Sequence, residues 1–304
     1  MTFLGMVKIR FTLIRVFLTA LACLPLRVLY VISDLLMPFV YYIVRYRRKL
    51  VRANLTAAFP EQPLQEIKKT ERMFYRHFGS ILVETVKLLH ISDDELRRRV
   101  HFTNPGLIHQ LCSDKLPIFA YLGHYANWEY APSFTLLLES DLNMCQVYHP
   151  LSNKVMDKLM LLIRGRFDAT GIPQEETVRT ILRRSGEGKH DLLGLIADQR
   201  PPKSQHKEWV QFLRQPTAII VGSERLGERL HAHYVYVEMN VVRRGYYEIT
   251  LHQIQPNPEE IYSVSKQYML LLEQTIRRAP QYYLWTHNRW KWARRNDGSL
   301  YRNR

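Results

Sequence analysis

Two side chains able to move a proton stand five residues apart in Leu122-Gly123-His124-Tyr125-Ala126-Asn127-Trp128-Glu129. An imidazole steered by a carboxylate suits the deprotonation of a hydroxyl. No Ser or Cys within this stretch offers itself as a nucleophile, so direct transfer to an incoming alcohol is the natural chemistry. The spacing constrains the backbone. On a continuous helix, residues five apart point roughly 140° away from each other. The two side chains can meet only where His124 precedes a helix and Glu129 lies in or near its first turn. The apolar run Leu116 to Leu122 ends in Gly123 just before the histidine, which predicts a strand-to-helix corner facing a cleft. Taken alone, such a pair is more often a structural histidine and a helix-start carboxylate interacting with the dipole.

The elements that must position this corner alternate in type. Ile118 to Leu122 reads as a strand, with a helix following to about Ser140. Met144 to Tyr148 is a second strand, Asn153 to Phe167 a helix, Glu175 to Arg184 a further helix, and Leu192 to Ala197 a short apolar strand ending in Asp198. Thr217 to Leu230 reads as helical. His233 to Val242 and Tyr246 to His252 alternate across Arg244-Gly245 as a hairpin would. Pro258 to Arg278 reads as a last long helix, Pro63 to His90 as an amphipathic one, and Asp93 to Arg99 as a short helix with an acidic start and a basic end. Together they predict an α/β fold, a mostly parallel sheet flanked by helices. Ligands bind such sheets at the carboxyl ends of the strands. His124 and Asp198 both fall just past a predicted strand and can line one edge.

The N-terminus carries a second signal. From Val16 to Val44 only Arg27 and Asp34 are charged, and the stretch exceeds the roughly 20 residues that cross a bilayer. Pro25 and Pro38 would kink or divide it. Lys8, Arg10 and Arg15 precede it, and Arg45, Arg47, Arg48, Lys49 and Arg52 follow at once. The heavier flank is C-terminal, which places the main domain in the cytoplasm. Residues 1–50 are thus expected to form a membrane-anchoring helical segment and residues 51–304 the catalytic domain. The competing reading is a buried helical hairpin of a soluble protein.

The net charge of +15 over 304 residues implies anionic partners: nucleic acid, an acidic membrane surface, or acidic substrates and carriers. No nucleic-acid motif accompanies the charge, which is spread along the chain. Cys23, Cys112 and Cys145 lack a Cys-x-x-Cys spacing and read as buried thiols in a reducing compartment. The histidines at 231, 233 and 252 lack an accompanying carboxylate cluster with ligand spacing, so no metal is expected.

Several ordered blocks resemble the lysophospholipid acyltransferase superfamily, whose signature is His, four residues, then an acid. More closely, the chain is similar to the lauroyl/myristoyl acyltransferase branch of lipid A biosynthesis. The resemblance covers most of the chain: Arg52-Ala53-Asn54-Leu55 with Phe59-Pro60-Glu61, the Gly123 to Glu129 motif, Tyr148-His149-Pro150 through Asn153, Asp157, Arg164 and Gly171, then Ala197-Asp198-Gln199, and Tyr283 to Lys291. Three residues depart from the pattern. His149 and Asn288 stand where members often carry Arg, and Arg214 interrupts a Phe-x-Gly stretch. None touches the His/Glu core.

The resemblance implies acyl transfer from a carrier thioester, on acyl carrier protein or CoA, to a hydroxyl of a lipid A precursor. It needs no metal or other cofactor. His124 would be the general base, and Glu129 would orient its ring and stabilise the imidazolium. Backbone N–H groups near the corner after Gly123 would stabilise the oxyanion. Asn127, within the motif, is carried over as a substrate contact. Arg164 is either a substrate phosphate contact or a solvated, dipole-capping arginine. Asp198 either holds a basic side chain or an acceptor hydroxyl, or is a turn residue bonding its own backbone. Trp285, Arg289, Trp290 and Lys291 either meet the membrane interface and anionic headgroups or divide into core tryptophans and solvated cations. The implied location is the cytoplasmic face of the inner membrane. Two alternatives remain open: an acyltransferase for a lysophospholipid, phosphoinositol mannoside or aminolipid, and a membrane-tethered nucleic-acid binder.

Overall fold

The structure, a computed structural model, describes residues 3–138, 142–206, 208–294 and 300–302. Two helices open the chain, α1 (Phe3–Cys23) and α2 (Leu26–Phe39). Pro25 divides them, because proline lacks the N–H that a helix interior needs but suits a helix start. Pro38 stays within α2, which runs on as a π-helical turn, Val40–Val44. Leu26–Val44 is then one stretch of 19 residues, long and apolar enough to cross a membrane by length and composition. Its outer face is bare: Val31, Leu35, Leu36, Phe39 and Ile43 each expose more than half their surface. Of the cysteines, Cys145 is buried and Cys112 half-buried, but Cys23, expected inside, is exposed at the end of α1.

Next come α3 (Arg48–Ala58) and α4 (Leu64–Lys87). α4 buries Ile67, Phe74, Tyr75 and Ile81, and the inner face of α2 packs on it. Arg48 and Arg52 of α3 converge on the buried carboxylate of Glu71 in α4, at 3.2 and 2.7 Å. Part of the basic flank that follows the apolar segment is therefore engaged within the fold. α5 (Asp93–Arg99) starts on Ser92, whose hydroxyl accepts the N–H of Glu95, and ends on three arginines as its charge pattern predicts.

The remaining elements are β1 (Val100–Phe102), α6 (Gly106–Leu111), β2 (Ile118–Leu122), α7 (Phe134–Leu138), β3 (Asn143–Tyr148), α8 (Lys154–Arg164), β4 (Thr170–Pro173), α9 (Thr177–Gly186), β5 (Asp191–Ile196), β6 (Trp209–Phe212), β7 (Gln215–Ala218), α10 (Gly222–Arg229), β8 (His233–Arg243), β9 (Tyr246–Ile254), α11 (Ser263–Arg278), β10 (Trp292–Arg294) and β11 (Leu300–Arg302). Seven strands form one sheet in the order β1-β9-β8-β2-β5-β3-β4. Every pairing is parallel except the β8–β9 hairpin. The mostly parallel α/β sheet is the fold class that the alternation predicts. β2 is buried along its whole length, as a central parallel strand covered on both faces must be.

Three expected elements differ. The helix after β2 begins as a 3-10 turn, Trp128–Ser133, and becomes α-helical only at Phe134; Pro132, which cannot donate to a helical ladder, sits in that turn. Its expected end at Ser140 lies outside the described residues. The helix expected from Thr217 starts at Gly222, because Gln215–Ala218 pairs with β6 instead. Pro216, Thr217, Ile219, Ile220 and Val221 explain this: proline and β-branched residues favour extended chain. The last helix starts at Ser263, not Pro258, after Tyr262 has taken a left-handed φ of 61°. β1 and β4, two short edge strands, escaped the sequence reading.

Candidate active site at the carboxyl edge of the sheet

β2 and β5 are hydrogen-bonded neighbours in register, with Leu122 opposite Ile196. The residues that follow them, Gly123-His124 and Ala197-Asp198, therefore emerge side by side. Gly123 is required by a close approach: a Cβ there would lie 2.4 Å from Cδ1 of Leu272 on α11. The chain turns at Ala126, which holds a left-handed φ of 52°. Its N–H bonds the carbonyl of Tyr282, and its carbonyl takes Nε2 of buried His77 at 3.1 Å. The C-terminal segment locks the same corner, because the N–H of Leu284 bonds the carbonyl of His124 at 3.0 Å.

His124 meets Asp198 twice. Its backbone N–H donates to Oδ2 at 3.1 Å, and its ring Nδ1 lies 2.7 Å from Oδ1. Burial alone would raise the Asp198 pKa, yet the two hydrogen bonds from His124, with Arg289 behind, hold it below the usual carboxylate range. An ionised carboxylate only accepts, so Nδ1 carries a proton toward Asp198. Nε2 is 3.0 Å from the side-chain nitrogen of Gln199, which donates to it. The imidazole side chain is 15% exposed, so it faces outward from an otherwise buried corner.

Glu129 lies elsewhere. The contact expected between Glu129 and His124 is made by Asp198. The reason lies in the turn after Asn127, which aims Glu129 toward α8. There Arg164 grips it with two parallel bonds, Nε to Oε2 at 2.9 Å and Nη2 to Oε1 at 2.7 Å. Burial, the largest single influence, lowers the Arg164 pKa, but the charge and hydrogen bonds of Glu129, with Asp157 and Tyr148, together outweigh it and the net shift is upward. Arg164 is thus neither a free phosphate contact nor a solvated helix cap in this structure. Glu129 reaches His124 only through Trp128, whose Nε1 donates to Oε1 at 3.0 Å. The ring of Trp128 packs edge-on against the imidazole, centroids 5.1 Å apart.

Asn127, expected to touch substrate, has no exposed surface. Its side chain accepts the N–H of Glu129 and donates to Glu84 at 2.7 Å, so it holds the turn. Trp285 and Trp290 are core residues. Arg289, expected at an interface or solvated, is 3% exposed and bonds the carbonyl of Ala218. The backbone donors expected to serve an oxyanion are largely engaged: those of His124, Ala126 and Asn127 already meet Asp198, Tyr282 and the sulfur of Met239. Among the described residues no group of His, Cys, Asp or Glu has the makings of a metal site.

The chain matches the bacterial lipid A biosynthesis acyltransferase family over residues 3–292. It belongs to that family. No individual curated protein matches it. At the carboxyl edge of the sheet, the His124 ring is held by Asp198 on one nitrogen and meets Gln199 on the other. Sequence reasoning missed three contributors to that edge. Gln199 and Trp128 stand within motifs that give them no role of their own, and His77 lies unremarked in the Pro63 to His90 helix. The signal that could have found Gln199 was its place directly after Asp198, beyond the end of the strand beside β2.

Proposed function

We propose that this protein is a membrane-associated acyltransferase that moves a fatty acyl chain from a carrier thioester to a hydroxyl of a lipid A precursor. The observation that carries the reading is the His124 ring, fixed by Asp198 on one nitrogen and presenting a lone pair on the other, in a chain of this family. The acceptor hydroxyl replaces Gln199 at Nε2. As its oxygen attacks the thioester carbonyl, His124 takes the proton, and Asp198 offsets the charge that the ring gains. The tetrahedral intermediate collapses by breaking the C–S bond. The thiolate leaves with the electron pair and recovers the proton from His124, giving an ester and a free thiol. No covalent enzyme intermediate is required. Glu129 and Arg164 act at one remove, holding Trp128 against the imidazole.

Acyl carrier protein suits the donor role, because an acidic carrier complements a chain of net charge +15. The bare face of Leu26–Val44 suits an inner-membrane anchor, and the basic flank after it suits a catalytic domain on the cytoplasmic side. The test is purified protein supplied with acyl carrier protein thioesters and a panel of acceptors: a lipid A precursor, a lysophospholipid, a phosphoinositol mannoside and an aminolipid. Only the lipid A precursor should be acylated. His124→Ala should lose roughly 10²–10⁴-fold in turnover, the scale of general base catalysis. Wild-type turnover in that variant would remove the mechanism, and acylation of another lipid alone would replace the acceptor.

A further inference from the structure

Beside the His124 edge, the loop after β5 and the C-terminal segment bring together two arginines that form no ion-pair contact with an acid among the described residues. Arg200 Nη1 donates to the carbonyl of Asn288 at 2.8 Å, and Arg289 Nη2 donates to that of Ala218 at 2.5 Å. Arg289 is almost wholly buried, and its Nε and Nη1 have no hydrogen-bond partner among the described residues. Leaving such donors unmet in a protein interior is costly, and native folds rarely do so. The carboxylate within electrostatic reach of Arg289 is Asp198, whose two oxygens are both engaged by His124. Arg200 is half-buried, and among the described residues burial, not an acid, is what acts on its guanidinium. Burial pushes both guanidinium groups below their ordinary value, and Arg200 adds to the effect on Arg289. His287 lies in the turn bonded to the His124 corner. Burial holds its imidazole down to about 4, so near neutrality it offers hydrogen bonds without charge.

We propose that Arg200 and Arg289, with His287 beside them, form a subsite for a substrate phosphate group next to His124. This rests on the acyl-transfer reading and adds where the anionic part of a substrate is held. Two guanidinium groups against one committed carboxylate leave a local positive charge. Their planar forks suit the several oxygens of a phosphate better than a single carboxylate would. Arg164, the arginine first suggested for such a contact, is already bound to Glu129. The phosphate has two possible sources with the same chemistry: the pantetheine arm of a thioester donor, and a sugar phosphate on the acceptor.

The test uses the full-length protein and the Arg200→Gln variant, chosen because Arg200 is the less buried of the pair. Rates are measured with acyl-coenzyme A and with the phosphate-free thioester of N-acetylcysteamine. They are measured again with a phosphorylated glycolipid acceptor and with its phosphatase-treated form. The variant should raise KM roughly 10–100-fold for the substrate whose phosphate is held, the scale of hydrogen bonds to charged groups. It should leave kcat and the KM of the phosphate-free counterpart within about twofold, the span of ordinary surface changes. The arm that responds identifies the source. Separately, binding of inorganic pyrophosphate is followed by phosphorus NMR and should weaken equally in Arg200→Gln. Equal effects with and without phosphate, or pyrophosphate binding unaffected by the variant, would overturn the subsite. Arg200-dependent pyrophosphate binding by a protein that transfers no acyl chain would keep the subsite and remove the acyl-transfer reading instead.

Discussion

Asp198→Asn separates the two carboxylates of the site. In the wild-type protein the Nδ1 proton of His124 is donated to Asp198 across 2.7 Å. Asparagine has nearly the same shape, but its amide can turn an N–H toward the ring. Nδ1 then becomes the acceptor, the proton moves to Nε2, and the lone pair needed for the hydroxyl is lost. A base in the wrong tautomer loses roughly 10³–10⁴-fold in kcat, equivalent to about 4–5 kcal/mol of barrier. Asp198 is 1% exposed and has no surface for substrate, so KM should stay within a few fold. Glu129→Gln should behave differently. It breaks the paired bonds to Arg164 and strands a guanidinium that is mostly buried, which costs roughly 3 kcal/mol and lowers Tm by several degrees. Its effect on kcat should be the smaller of the two, because it acts through the packing of Trp128 on the imidazole. Initial rates at saturating donor and acceptor, with thermal unfolding of both variants, make the comparison. Were Asp198→Asn to retain kcat within about tenfold while Glu129→Gln lost it without a change in Tm, Glu129 would be the partner of His124 during turnover. The reasoning from the resting geometry would then be wrong.

Three other expectations follow from single contacts. Burial drives the pKa of His77 from 6.5 down to about 4, so the unfolded chain binds that proton first. Its contribution is full above about pH 6.5 and declines as pH falls toward 4, by roughly 3 kcal/mol in all. His77→Gln should flatten that part of the urea stability profile, and an unchanged slope would exclude His77 as its cause. Lys87 is buried and donates to the carbonyls of Ala22 and Leu24, at 2.9 and 3.0 Å, at the open end of α1. Lys87→Met should cost roughly 2–3 kcal/mol and speed limited proteolysis at 22–25; cleavage at the wild-type rate would show that α1 is held by other means. Gly123→Ala would press a methyl group onto Leu272. It should destabilise by about 1–3 kcal/mol and displace the imidazole enough to lower kcat roughly tenfold or more, whereas normal turnover would mean that the corner yields freely.

The sheet was legible because its central strands are short apolar runs, and the corner because Gly123-His124 ends one of them. The adjacency of His124 and Asp198 was legible too, since both follow a strand by one or two residues. What sequence could not choose was the carboxylate that meets the ring. Local spacing favours Glu129, five residues away, but side-chain direction at a 3-10 turn depends on Asn127 and, through it and beyond it, on Glu84 and Arg164, which are distant in sequence. Strand register decides instead: a one-residue slip between β2 and β5 would have turned Asp198 to the other face. Arg289 was misplaced for a related reason. A cation beside tryptophans reads as an interfacial motif, and only the fold shows it enclosed behind Asp198. β1 and β4 were invisible because three- and four-residue edge strands carry too little periodicity to stand out.

The same long-range polar contacts bear on what the N-terminal helices do. Glu84 of α4 has no exposed surface. One oxygen accepts the hydroxyl of Tyr30 from α2 at 2.8 Å, and the other accepts Asn127 and the hydroxyl of Tyr247, each at 2.7 Å. Burial pushes the Glu84 carboxyl up, and those three donors pull it back, so each matters to a group that cannot be left bare. Asn127 in turn caps the turn that carries Glu129. The β8–β9 turn adds a second tie, with Arg244 bonded to Asp34 of α2 at 2.7 Å and lying over the ring of Tyr30. A functional division near residue 50 therefore does not coincide with a gap in the hydrogen bonding. Withdrawing α2 would leave an oxygen of Glu84 without its donor and loosen the turn behind His124. The segment apolar enough to enter a membrane is therefore also part of what holds the His124 corner in shape.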